Sequence, residues 1–224
     1  MSLDINTSKT IGGIGALLLF IGVLTLFSGV PYLFIIMMGL GVTLVLAGLY
    51  GLSEHYRESG IFKKSLIGVV TGIIGIALVI VIIFALVLPS SITALQAMLP
   101  GWDGDVNTLP NITPDIDNMD LSMIYPLLTN ILVMFVVMGI FATGATFFIR
   151  QSLKQLREKS DIGLFETTGT LMLVSGFLTF ILIGYILLWI SLLLLAIAFF
   201  QIKPQEPNPI QYDTYQSAPP QPLQ

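Results

Sequence analysis

Long apolar runs, unbroken by any charge, limit what this chain can fold into more than any other feature of its sequence. A helix crossing a hydrocarbon core about 30 Å thick, at ~1.5 Å per residue, needs around 17 to 25 predominantly apolar residues. Four runs meet that length: Ile11 to Ser28, Tyr32 to Leu52, Leu66 to Leu88 and Met123 to Ile149. A fifth, Thr168 to Ile202, would make one helix of roughly 52 Å or two short ones of about 25 Å. Composition agrees, since 10% of the 224 residues are charged and 55% hydrophobic, against roughly 25% charged in an ordinary soluble domain. Backbone N–H and C=O groups have no water to bond in lipid, so continuous runs of this kind are helices. The fold class expected is an all-α integral membrane protein.

Only Gly29, Val30 and Pro31 separate the first two runs, which demands a tight helical hairpin with Gly and Pro ending one helix and starting the next. A displacement of 154 residues lays the last run over this hairpin. Gly15, Leu17, Leu19, Gly22, Leu24 and Thr25 fall on Gly169, Leu171, Leu173, Gly176, Leu178 and Thr179, and Leu33, Ile36 and Leu40 on Leu187, Ile190 and Leu194. The internal repeat predicts a second hairpin, spans 168–183 and 186–202, with Gly184 and Tyr185 at its turn. Six transmembrane helices result, two tight hairpins flanking two longer central spans, with an acidic loop over 89–121 and a Pro/Gln-rich disordered tail over 204–224.

Charge orients this plan. Lys9, Arg57, Lys63, Lys64, Arg150, Lys154, Arg157, Lys159 and Lys203 all fall on one side, whereas the 89–121 loop has Asp103, Asp105, Asp115, Asp117 and Asp120 and no cation. The positive-inside rule makes the basic side cytoplasmic, with both termini there, in a multi-pass protein of the cell membrane. The first run lacks a small-residue cleavage signal and reads as a retained span.

Several chemistries drop out. With no cysteine and a single His55, thiolate or histidine metal sites have no ligands, and a net charge of -4 without a basic stripe excludes nucleic acid as a partner. Asp103, Asp105 and Asn107 start like a calcium loop but lack its glycine and closing glutamate. No catalytic, cofactor-binding or metal site is expected, nor any cofactor.

The segments KTIGGIGALL (9–18), GLYGLSEHYRESGIF (48–62) and GVVTGIIG (68–75), with GFLTFILIG and AIAFF in the terminal run, resemble an uncharacterised archaeal multi-pass membrane family, domain of unknown function 996. The resemblance implies an archaeal membrane protein and carries no activity to transfer.

Small residues recur on helix faces: Gly15, Gly22 and Gly29 at sevenfold spacing, Gly68, Gly72 and Gly75, then Gly169 and Gly176. In lipid such faces let backbones approach and pack by dispersion, within one bundle or in a homo-oligomer. Asn130 and Thr129 are the strongest polar groups inside a span, as pore lining or as interhelical hydrogen bonders. On the outer side, Ser90 is expected to cap a short helix lying in the interface, anchored by Trp102, and Asn111 heads a glycosylation acceptor. On the basic side, Lys63, Lys64 and the helical extension Arg150 to Lys159, with Leu153 and Leu156 on one face, read as an ordinary anchor or as a platform for anionic headgroups or a partner.

The absence of Asp, Glu, Lys, Arg and His from every span argues against proton relays, ion-coupled carriers and voltage sensors. The expected function is non-enzymatic: a structural, assembly or interaction role in the membrane, with the lipid bilayer and a protein partner or second copy as contacts. The alternative is a small channel or carrier for an uncharged solute.

Overall fold

The computed structural model describes residues 4–25, 30–99, 102, 121–180 and 182–203. Among them the regular elements are all helical, and the chain is an all-α membrane protein. The helices are α1 (Ile5–Leu24), α2 (Pro31–His55), α3 (Ser59–Ile82), α4 (Leu88–Met98), α5 (Tyr125–Ser160), α6 (Leu164–Phe177) and α7 (Leu182–Phe200). Among the described residues five helices are long and apolar enough to cross a membrane: Ile5–Leu24, Tyr32–His55, Ser59–Gln96, Tyr125–Ser160 and Ile183–Phe200. The sixth, α6, has 14 residues and is about 21 Å long, so it is the short arm of the second hairpin.

Two local features differ from expectation. The stretch after Leu88 is not a separate interfacial helix: α3 runs through a π-helical turn, Ile83–Val87, directly into α4, making one 38-residue rod, Ser59–Gln96. Pro89 explains the π turn. It cannot donate to the carbonyl four residues back, and its ring crowds that carbonyl, so the helix widens just before it. Ser90 therefore does not cap a helix start; its hydroxyl donates back to the Leu86 and Val87 carbonyls at 2.7 and 3.0 Å. The second hairpin breaks at a 3-10 turn, Leu178–Phe180, rather than at Gly184 and Tyr185, which sit in the first turn of α7. Gly184 is buried, and a Cβ there would strike the Leu178 carbonyl, so this glycine seats α7 on the end of α6.

Each membrane rod packs on the next in chain order, α1 on α2, α2 on α3, α3 on α5, α5 on α6 and α6 on α7, and α7 packs on α1. The six rods thus form a closed ring. α1–α2 and α3–α5 are its most extensive seams and α2–α3 its thinnest. The outward faces are apolar and exposed, as at Ile35, Phe84, Leu132 and Ile140, the arrangement expected of a surface solvated by lipid.

The fully buried large side chains, Leu52, Ile61, Leu153, Leu156, Phe165, Phe199 and Ile202, gather at one end of the ring. The same end holds every described Asp, Glu, Lys, Arg and His, from Asp4 and Lys9 through Glu54 to Lys64 and Arg150 to Glu166 and on to Lys203. Water reaches that end, so ordinary hydrophobic burial operates there, at about 1.5–3 kcal/mol per large side chain. Lys9 Nζ donates to the Ile202 carbonyl at 2.9 Å and closes the ring across the chain's two ends. Lys159 pairs with Glu58 at 3.8 Å and Arg157 with Glu166 at 3.3 Å. Two residues with left-handed backbone, Arg57 (φ 51) and Asp161 (φ 57), make the tight turns into α3 and α6.

Candidate functional site

Glycine decides how closely the rods approach. A Cβ at Gly15 would lie 2.6 Å from Val45 N and 2.9 Å from Gly41 O, and one at Gly22 3.2 Å from Met37 Cβ, so both face α2. Gly68 and Gly75 face α5, 2.8 Å from Ala145 O and 2.5 Å from Phe141 Cβ. Gly169 and Gly176 also face α5, 3.1 Å from Arg150 Cα and 2.5 Å from Thr146 Oγ1. Gly72 is looser, with Ala145 Cβ at 3.7 Å as its neighbour. All these neighbours belong to the chain's own helices; Gly29 lies outside the described residues. Gly12 and Gly48 also meet across the α1–α2 seam, where a Cβ on Gly48 would stand 2.6 Å from Gly12 Cα.

The polar side chains inside the bundle are mostly turned onto their own helices. Thr25, Thr43, Thr71, Ser175, Thr179 and Ser191 each donate to a carbonyl three or four residues back, at 2.6–3.1 Å. Asn130 instead crosses between rods: its amide donates to Leu86 O at 3.1 Å and to Ser90 Oγ at 3.2 Å. Leu86 lies in the π turn, so Asn130 and Ser90 both donate to a carbonyl of that turn. Thr129 is exposed on α5. A second crossing is buried near the basic end, where Ser65 Oγ donates to Ser152 Oγ at 2.7 Å and Ser152 Oγ donates to Ile61 O at 2.5 Å. No sequence pattern singled out this serine pair; the partners are 87 residues apart.

Within the ring the rods enclose apolar space in two parts. The larger, about 380 Å³, lies between α3, α5, α6 and α7, among Gly72, Ile76, Met138, Phe141, Gly176 and Tyr185. The smaller, about 140 Å³, is bounded by all six rods, through Leu19, Val42, Val69, Ile149, Met172 and Leu192. Thr146 and Leu188 line both and stand where they meet. Ile76 is 63% exposed although it lines the larger space, so that space opens sideways toward lipid. Its hydroxyls are already engaged: Thr146 with Ala142 O at 2.8 Å, Ser175 and Thr179 as above, and Tyr185 with Met138 Sδ at 3.6 Å. Phe165 and Phe199, edge to face at 5.6 Å, belong to the packed core at the basic end.

Among the described residues no three His, Asp or Glu side chains converge as metal ligands would. His55 is exposed at the end of α2, edge to face with Tyr56 at 5.2 Å. Burial raises the Tyr56 hydroxyl above the ordinary phenol range. Trp102 is buried, its backbone N–H bonded to Leu99 O at 3.1 Å. Asn111, the loop aspartates and the 204–224 tail lie outside the described residues.

A family model described as "Protein of unknown function (DUF996)" matches residues 35–193, more than two thirds of the 224-residue chain. No curated protein and no solved structure matches the chain.

Proposed function

Since the chain belongs to the DUF996 family, whose function is unknown, we propose its role from geometry: a non-enzymatic membrane component that acts by packing and interaction, as a structural or assembly element. The supporting observation is the segregation of chemistry. Every described Asp, Glu, Lys, Arg and His lies at the basic end, while the space inside the ring is walled by apolar side chains and by hydroxyls already bonded within the bundle. Acid–base work needs titratable groups converging on a substrate, and ion coupling needs them at depth. In this reading the protein spans the cell membrane with its basic end and both termini cytoplasmic and the aspartate loop outside. The two terminal hairpins are copies of one unit, the source is archaeal, and partners bind through the exposed rod faces or the outer loop. Purification from native membranes in mild detergent tests the role, and a stoichiometric partner or a defined oligomer is expected.

The 380 Å³ space favours a second reading, a channel or carrier for a small uncharged solute. Liposomes carrying the purified protein separate the two. Swelling or exchange with a neutral solute such as glycerol, above that of protein-free liposomes, would replace the first reading with the second.

A further inference from the structure

One polar pocket at the basic end is independent of the interior space. It holds about 420 Å³ on the outer surface of the α3–α5 seam and is lined by Lys64 of α3 with Phe147, Arg150, Gln151, Lys154 and Glu158 of α5. The α5 residues recur at helical spacing on a single face, and the other face of α5 sends Ile149, Leu153 and Leu156 into the core. Three cations therefore meet one carboxylate. Neighbouring cations are already engaged, Arg157 with Glu166 and Lys159 with Glu58, whereas among the described residues Lys64, Arg150 and Lys154 are in no ion pair. A Cβ at Gly169 would stand 3.3 Å from Arg150 Cγ, so the Arg150 stem lies beside α6.

We propose that this pocket binds the phosphate headgroup of an anionic membrane lipid. Charge complementarity selects an anion, and the guanidinium and two ammonium groups supply donors for phosphate oxygens. The pocket's apolar side selects a lipid over free phosphate. Phe147 is 43% exposed and sits one turn toward the membrane from Arg150, where an acyl chain hanging from the headgroup would lie. Inorganic phosphate would gain nothing from that ring.

The test uses the full chain in detergent and titrates phosphatidylglycerol or phosphatidylcholine, with bound lipid counted by native mass spectrometry. Phosphatidylglycerol should be preferred, and K64Q/R150Q/K154Q should weaken it by about 100-fold, at roughly fivefold per cation. The exposed K154Q alone should cost roughly fivefold, which keeps the test valid should the triple variant fail to fold. The control R57Q/K63Q removes two cations from a separate groove beside Tyr50 and Phe62, and should leave the affinity unchanged. Equal losses in control and pocket variants, or no preference for phosphatidylglycerol, would reduce the cations to a general anchor and overturn the site. Displacement of the lipid by millimolar inorganic phosphate would overturn the lipid assignment.

Discussion

Adding one methyl group at Gly48 is the sharpest test of how this ring is held together. Its Cβ would stand 2.6 Å from Gly12 Cα, 2.7 Å from Gly12 N and 2.8 Å from Ser8 O, where carbon contacts are optimal at about 3.5–4.0 Å. All three neighbours are backbone, so α1 and α2 would have to separate by about 1 Å. α1 has no slack to move, because a Cβ at Gly12 would already be 2.6 Å from the Phe199 ring on its other side. Overpacking of this kind costs about 1–3 kcal/mol. Alanine also removes glycine's helix penalty of about 1 kcal/mol, which partly offsets the loss. Gly72→Ala is the control: it has the same propensity gain, with its nearest neighbour at 3.7 Å. The difference between the variants isolates the steric cost, so Gly48→Ala should be less stable than Gly72→Ala by about 1–3 kcal/mol. Equilibrium unfolding in mixed micelles measures this. Trp189 reports it, because its indole stacks on Phe20 of α1 at 4.7 Å and donates to Phe20 O at 3.0 Å. Equal stability of the two variants would refute the claim that glycine contact sets the α1–α2 seam.

Other perturbations probe separate joints, each by the same unfolding measurement. Lys9→Met removes the donor to Ile202 O and its favourable charge at the end of α7 and should cost about 1 kcal/mol; an unchanged midpoint would show that ring closure does not depend on it. Asn130→Ala should cost about 0.6–1.7 kcal/mol, and combining it with Ser90→Ala should cost less than the sum, since each single variant already removes the hydrogen bond between the two side chains; strict additivity would argue against that direct coupling. Arg57→Gly relieves a left-handed backbone at φ 51 and should raise stability by about 1 kcal/mol; destabilisation would show that the arginine side chain matters more than its backbone.

Much of the architecture was legible because lipid as a solvent leaves few solutions. Run length and the absence of charge specify apolar helices, Gly29 to Pro31 marks the first hairpin, and Leu153 and Leu156 mark α5 continuing past the apolar run into the core. Other features misled at positions where a local signal competed with a longer-range one. Ser90 ahead of an amphipathic stretch resembles a cap, but the helix continues through Pro89 by way of a π turn, and Ser90 bonds back to Leu86 and Val87 instead. Gly184 resembles a turn residue, but only the seating of α7 on the Leu178 carbonyl shows that its small size was needed inside the helix.

The sequence by itself determined the helical class, the segregation of charge to one end and the positions where rods can approach closely. These follow from solvent transfer and from helix geometry, both of which act on residues near one another in the chain. Only the tertiary structure decided which rods meet. Ring closure of α7 on α1, the Ser65–Ser152 bridge and the convergence of Lys64 with Arg150 and Lys154 each join residues far apart in sequence. In lipid, apolar faces are nearly interchangeable, so fine packing and a few hydrogen bonds choose the partners, and no periodicity in the chain records that choice.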